Sequence, residues 1–331
     1  MKRKPMKFGG IDLKYGLSLA PMAGYTDRAM RYICNKYGSE YSVSEMISAK
    51  AVTFGDKKTF SLAKIMPDEG PVVLQIFGSE PDTMARASEI LLGHARSEGE
   101  ALPIGIDINM GCPVKKIFSN GEGSALMRSP DLIYDIVRSV KNSIDVPVTV
   151  KIRAGIAEKS KNAVECALAA ESGGASMITV HGRTREQMYT GRADRGIIAE
   201  VKRSVGIPVI ANGDVSCGTD AVDMLSETGA DGIALGRGAV GNPFVFDEIR
   251  RAIDGEDYIP PSTEERIKTA LLHISLAKEE KGETRGVQEA RKQIASYFSS
   301  FRGASAIRAE INRASTVSEI EKILNKIYEI S

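Results

Sequence analysis

The sequence predicts an α/β fold: a (β/α)8 TIM barrel with a small C-terminal helical domain. Three observations carry this. Eight short runs rich in apolar and β-branched residues alternate with helix-patterned segments along the first three quarters of the chain. These runs are continuously apolar, as expected of parallel strands covered on both faces. Beyond "IPPS" (259–262) the strand pattern stops and helical segments follow. An open doubly wound sheet is the alternative, but eight strand–helix units in this length match a closed barrel better.

The strands are expected at 17–21, 41–44, 72–78, 104–109, 148–153, 177–182, 208–214 and 232–238. Helices lie between most of them, for example 130–144 and 163–173, the second stopped by Gly173 and Gly174. In the tail, Ser262 and Glu265 fit a capping box that opens a helix running to about Gly282. A second helix is expected at 287–301, stopped by Gly303, and a third at 304–313. Thr316 and Glu319 form another capping box and open the last helix. The expected division is a catalytic barrel over 1–250 and a helical domain over 251–331.

Composition excludes several classes of function. The chain has 331 residues, a net charge of +1, 42% hydrophobic and 26% charged residues, which is ordinary for a soluble globular protein. It is no polycation, so a nucleic-acid surface must be a local patch. The basic start "MKRKPMKFGG" precedes no apolar run, so neither an export signal nor a membrane span is expected, and a cytoplasmic location follows. Cys34, Cys112, Cys166 and Cys217 show no zinc spacing. In the cytosol they are not expected to pair. With His94, His181 and His273 the only histidines, no metal site is expected.

In such a barrel, chemistry sits at the C-terminal strand ends. Strand one ends in Pro21, Met22 and Ala23, and strand three carries Gln75. Strand four gives Asn109 and leads to Cys112, and strand five gives Lys151 and Arg153. Strand six gives His181 and Arg183; strand seven gives Asn212, Gly213 and Asp214; strand eight gives Gly236 and Arg237. The glycine-bearing loops "ANGDV" (211–215) and "ALGRG" (234–238) stand where these barrels bind phosphate, with Arg237 available for a charge-assisted contact. "GRGAVG" (236–241) matches a dinucleotide fingerprint, but no strand follows it, as that motif requires.

Lys151 is either one half of an ordinary ion pair or a fixed cation beside an electron-accepting ring. His181 is either a satisfied polar residue or a ligand for phosphate or carbonyl. Cys112 lies on a Gly–Cys–Pro loop beside Lys115 and Lys116. As a thiolate it would be a nucleophile; as a neutral thiol it can donate a proton. Spacing alone does not choose between these roles, though no histidine lies near it in sequence to activate it.

The motifs "LAPMAGYTDRAMR" (19–31), "VVLQIFGSEPD" (72–82), "DINMGCPVKKI" (107–117), "VTVKIRAG" (148–155), "TVHGRTREQMYTGRAD" (179–194), "PVIANGDV" (208–215) and "GIALGRGAVGNPF" (232–244) resemble, in order, those of the tRNA-dihydrouridine synthases. The match spans nearly the whole barrel, and "EARKQIASYF" (289–298) is similar to the family's C-terminal domain. The resemblance implies an enzyme with FMN, reduced by NADPH, that reduces the carbon 5–carbon 6 double bond of chosen uridines in tRNA. It implies that Pro21, Met22, Ala23, Gln75, Lys151, His181, Asn212, Gly213, Asp214, Gly236 and Arg237 bind the cofactor. Cys112 corresponds to the family's proton donor; Asn109 and Arg153 fall near the uracil, and Lys115 and Arg183 near the RNA. The base would be flipped from its stack to reach the flavin.

From Arg285 to Arg313, six basic residues face two acidic ones, a local excess that can pair with phosphates. A monomer is expected. The chain departs from the family at Arg195, where tryptophan is common, and at Glu122, where a small residue is usual. Its tail also lacks the aromatic pattern of the bacterial members. Two other readings compete. A dihydroorotate-dehydrogenase-like barrel usually has asparagine where Val114 stands. A non-catalytic RNA-binding barrel predicts damage at the flavin or acid positions, which is not seen.

Overall fold

The computed structural model describes residues 5–330. Eight parallel strands form the barrel: β1 (Leu17–Leu19), β2 (Tyr41–Val43, resuming as Ile47–Ser48), β3 (Val72–Phe77), β4 (Gly105–Met110), β5 (Val148–Arg153), β6 (Met177–His181), β7 (Val209–Asn212) and β8 (Gly232–Leu235). Each pairs with its successor, and β8 returns to β1 in the register Ile233–Leu17, Ala234–Ser18, Leu235–Leu19. The sheet is therefore closed, and the open doubly wound alternative is set aside.

Period-2 alternation divides every strand between two cores. Outward residues such as Leu17, Leu74, Ile106, Ile108, Val150 and Ile178 form the layer beneath the helices. Inward residues Tyr41, Val73, Met177, Ile210 and Ala234 fill the lower barrel. The sequence reading of apolar strand interiors needs correcting here. Asp107, Thr149 and Thr179 are buried on the inward side, where the outward isoleucines and valines mask their alternation.

A feature with no counterpart in the expected strands is a hairpin of Met6–Phe8 and Ile11–Leu13. Phe8 and Leu13 join the lower-barrel core, and the Phe8 ring lies 3.1 Å from where a Cβ on Gly105 would stand. The hairpin thus plugs the N-terminal mouth. Three-residue strands are too short for periodicity to register.

Ten helices surround the barrel: α1 (Arg28–Lys36), α2 (Ala49–Thr53), α3 (Lys57–Ala63), α4 (Pro81–Glu98), α5 (Lys115–Ser119), α6 (Pro130–Ser143), α7 (Ala163–Gly173), α8 (Arg195–Ser204), α9 (Gly218–Thr228) and α10 (Val245–Asp254). The tail adds α11 (Thr263–Lys281), α12 (Glu283–Ser296), α13 (Ala304–Arg313) and α14 (Val317–Ile330). The N-cap half of each expected capping box forms: Ser262 Oγ accepts from Glu265 N at 3.1 Å, and Thr316 Oγ1 from Glu319 N at 3.2 Å. The glutamates turn elsewhere, Glu265 Oε1 accepting from Tyr37 Oη at 3.3 Å and Glu319 Oε2 from Ser315 N at 2.7 Å. Helix α12 begins and ends earlier than expected. Gly286 lies inside it because a Cβ there would come 2.5 Å from the Ala277 carbonyl oxygen, so the residue permits close packing on α11 instead of breaking the helix.

The tail and barrel share a core. Ala29 and Ile33 of α1 pack with Phe244, Ile274, Tyr297 and Phe298. Polar ties reinforce it: Lys281 Nζ reaches Asp27 Oδ2 at 2.5 Å, and Tyr37 Oη lies 2.7 Å from Thr269 Oγ1. Among the described residues, no helix is long and apolar enough to cross a membrane.

Candidate active site

A cleft of about 1080 Å³ opens at the C-terminal end of the strands. It is lined by Pro21, Met22 and Ala23 after β1, Gln75 of β3, and Asn109 and Cys112 at the end of β4. Lys151 and Arg153 of β5, His181 and Arg183 at β6, Asn212, Gly213 and Asp214 at β7, and Gly236 and Arg237 after β8 complete it. Of the positions singled out in the sequence, Lys115 stands apart, exposed in the first turn of α5. Sequence reasoning missed Tyr25, Met46, Met188 and Tyr189, and Ser296 and Ser299 of the tail. The Met188–Tyr189 pair, apolar and exposed within a polar loop, was a usable signal.

At the β7–β8 side, two loops meet backbone to backbone. A Cβ on Gly238 would stand 2.4 Å from the Val215 carbonyl oxygen, and one on Gly213 (φ +125°) 2.7 Å from the Ala193 Cβ. Asp214 adopts φ +53°, and its carboxylate is occupied by Arg183 Nη2 at 2.7 Å and Ala193 N at 2.7 Å. Asp214 therefore fastens loops together. Arg183 also donates to the Thr190 and Gly191 carbonyls, while its Nη1 is buried without a protein partner. Arg237 is exposed and stacks on Tyr189, 4.8 Å from the ring centre.

On the floor, Lys151 Nζ donates to Asn212 Oδ1 at 3.0 Å, and Asn212 Nδ2 donates to the Ala234 carbonyl at 2.7 Å. Burial, helped by Arg153, draws the Lys151 ammonium down to about 8, with Asp107 opposing. Burial and the cations Lys151, Arg153, Arg183 and Arg237 pull His181 down to about 2, so its ring is neutral at physiological pH.

The cysteine loop is held at every backbone polar group of Gly111 and Cys112. Asn109 Oδ1 accepts from Gly111 N at 3.2 Å and Cys112 N at 2.9 Å. Arg153 Nε donates to the Gly111 carbonyl at 2.7 Å, and Ser124 donates to the Cys112 carbonyl through Oγ at 2.7 Å and N at 3.2 Å. Gly123 (φ +61°) leaves room for the side chain: a Cβ there would stand 2.9 Å from that of Cys112. Burial pushes the Cys112 thiol up, against the Val114 N–H and Arg153, which lower it. The group is a neutral thiol near pH 7, suited to proton donation and not to attack as a thiolate. Arg153 spends Nη1 on the Thr184 and Met188 carbonyls, at 2.9 and 3.1 Å, and so ties this loop to the one after β6.

A rigidly mounted neutral thiol, a buried cation and glycine-cradled loops share one barrel mouth. Residues 18–330 match the family described as dihydrouridine synthase (Dus).

The chain belongs to the dihydrouridine synthase family.

Relatives of this chain include tRNA-dihydrouridine synthase B of Shewanella oneidensis, 38% identical over 98% of both chains. Others are the same-named protein of Vibrio cholerae, 38% identical over 95% of this chain and 96% of that one, and probable tRNA-dihydrouridine synthase 1 of Synechocystis, 38% identical over 98% and 89%. Among solved structures, a variant of NCR from Zymomonas mobilis superposes with a TM-score of 0.52 at 16% identity, covering 80% of this chain and 94% of that one. Histamine dehydrogenase from Rhizobium sp. 4-9 gives 0.56 at 12% identity, covering 83% and 51%. These two likenesses concern the fold. Two departures of this chain, Arg195 and Glu122, lie outside the cleft lining: Arg195 pairs with Glu227 at 2.6 Å, and Glu122 precedes Gly123.

Proposed function

We propose that the cleft binds FMN, that NADPH supplies the electrons, and that Cys112 donates the proton when uridines of tRNA are reduced across carbon 5 and carbon 6. Reduction of uridine in tRNA is the activity of the family to which the chain belongs. The observation that carries the mechanistic reading is the neutral, four-point-anchored thiol of Cys112 facing the same cleft as Lys151.

The residues present fit a phosphorylated flavin. The close loops at Gly213 and Gly238, the unpartnered Nη1 of Arg183 and the exposed Arg237 make a cradle for phosphate. Lys151 and Gln75 at the floor suit the ring, with Pro21, Met22 and Ala23 as a wall. When bound, the flavin supplies hydride to carbon 6 of the uracil. The chain's own part is then proton management. Cys112 keeps its proton on Sγ at neutral pH and releases it to carbon 5 as charge develops there. Lys151 offers positive charge to the reduced ring. Neutral His181 offers hydrogen bonding without adding charge. Asn109 and Arg153 fix the edge of the uracil pocket.

The helical domain of 251–331 is proposed as a docking surface for tRNA, with Lys115 and Arg183 on the barrel side. Arg291 is half-buried, and Lys292, Arg302, Arg308 and Arg313 are exposed there; Arg285 is committed to Glu289 at 2.7 Å. A monomer in the cytoplasm is proposed as the working unit.

The test is a single-turnover experiment. The protein is loaded with FMN, reduced without oxygen and mixed with unmodified tRNA. Reoxidation accompanied by dihydrouridine in the RNA is expected. Reoxidation only by a free pyrimidine would refute tRNA as the substrate.

A further inference from the structure

Within the barrel, Asp107 is nearly fully buried on the inner face of β4, two residues below Asn109. Its Oδ1 accepts from Thr149 Oγ1 at 2.6 Å and its Oδ2 from Gln75 Nε2 at 2.7 Å. Gln75 Oε1 in turn accepts from Asn109 Nδ2 at 2.8 Å, leaving Asn109 Oδ1 for the Gly111 and Cys112 N–H groups.

We propose that Asp107 is a positioning residue for the proton donor: its carboxylate sets the direction of the Gln75 and Asn109 amides and through them clamps the Cys112 loop. This rests on the reading of Cys112 as the acid. The argument is one of donors and acceptors. An ionised carboxylate only accepts, so Gln75 must turn its NH2 toward Asp107. Its oxygen is then left facing Asn109, which must answer with its own NH2. The Asn109 oxygen is thereby aimed at the loop. The two ends agree, since the loop end consists of N–H groups that only donate. A reversed Asn109 would set NH2 against two donors. Without the carboxylate, the Gln75 NH2 is buried without an acceptor and gains by swinging toward water in the cleft. That swing takes its oxygen from Asn109 and slackens the clamp. Burial raises the Asp107 carboxyl above its ordinary value, against the Thr149 and Gln75 donors and Lys151, which lower it. The geometry carries the argument: both carboxylate oxygens receive donors, so the contacts fit the ionised form.

The decisive comparison is Asp107→Asn against Asp107→Leu in the full chain. Asparagine can present its oxygen to Gln75 and its NH2 to the Thr149 hydroxyl, preserving the direction. Leucine cannot. Two readouts are taken: alkylation of each cysteine by iodoacetamide in flavin-free protein, resolved by mass spectrometry, and single-turnover formation of dihydrouridine in loaded protein. Asp107→Leu is expected to slow the single turnover on the order of 10- to 100-fold, as for a displaced catalytic group. It should speed alkylation of Cys112 several-fold while the buried Cys34 and Cys166 stay protected. Asp107→Asn should restore wild-type behaviour in both. Three outcomes overturn the proposal: Cys112 reactivity unchanged in Asp107→Leu; Cys34 and Cys166 exposed together with Cys112, which marks general loosening; or Asp107→Asn as impaired as Asp107→Leu. A Cys112→Ala control separates the underlying reading. If that variant still forms dihydrouridine, the acid assignment fails, and the alkylation data still report on the clamp.

Discussion

Replacing Lys151 by methionine should change how stability depends on pH, by an amount that follows from the lysine's position. Its ammonium sits on the cleft floor and is drawn from an ordinary 10.5 down to about 8. Each pH unit of such depression corresponds to about 1.4 kcal/mol, so carrying this charge costs the folded state about 3 kcal/mol at neutral pH. Water entering the cleft screens part of that, and the figure is a ceiling. The sign follows from proton counts. Between pH 8 and about 10.5 the unfolded chain binds the proton and the folded chain has released it, so stability gained from this group rises with pH across that window. Below it the cost is fully present. Lys151→Met removes the group, so the difference between wild type and variant should narrow by about 1–3 kcal/mol from pH 7 to pH 10. Urea denaturation of both flavin-free proteins across that range measures it. Comparing the pair cancels the titrating groups that Lys151 does not influence. Parallel stability curves would refute the claim that Lys151 is a destabilising buried cation held in readiness for an anionic partner.

Other expected outcomes bear on the remaining parts of the site. Cys112→Ala should retain its fold and FMN, measured by flavin fluorescence, and lose turnover on tRNA on the order of 10²- to 10⁴-fold; loss of flavin instead would make the cysteine structural. Gly238→Ala drives a Cβ to 2.4 Å from the Val215 carbonyl and should cost about 1–3 kcal/mol in thermal denaturation while weakening FMN binding. Lys281→Ala strips the buried Asp27 of its partner. Burial raises that carboxyl but Lys281 and its hydrogen bonds hold it below its ordinary value. Its contribution is therefore present above the unfolded carboxyl range and lost as pH falls through the lower folded value. The wild type's advantage over Lys281→Ala should disappear in acid denaturation below about pH 4.

The strand ends were legible because this architecture brings them all to one mouth, so Gln75, Lys151, His181 and Asn212 could be grouped before any contact was known. The interior was not. Asp107 and Thr149 sit among isoleucines and valines that face the other way, and a continuous apolar run hides which residues point inward. The hairpin at Met6–Phe8 and Ile11–Leu13 was hidden by its brevity. Ser296, the last residue of α12, and Ser299 in the turn after it reach the cleft from a unit the sequence sets apart, and no local pattern announces that they share a lining with Asn109 and Cys112, some 180 residues earlier. Asp214 and Arg153 were legible as positions but not as uses, since much of their hydrogen bonding goes to holding loops.

The way the tail seats on the barrel has a consequence for anyone wishing to re-engineer this scaffold. Gly241 (φ +69°) lies so close to α12 that a Cβ there would stand 2.4 Å from the Ser296 backbone, and Gln293 reaches the Tyr25 carbonyl beside the cleft. A minimal barrel cut at residues 255–262 would bare Ala29, Ile33 and Phe244 and lose one wall of its own pocket. Nor can a foreign tail be grafted as a detachable module. It would have to bring a lysine for Asp27, a neighbour for Tyr25 and a backbone shaped to Gly241, so the natural unit of exchange is the tail together with the loops following β1 and β8.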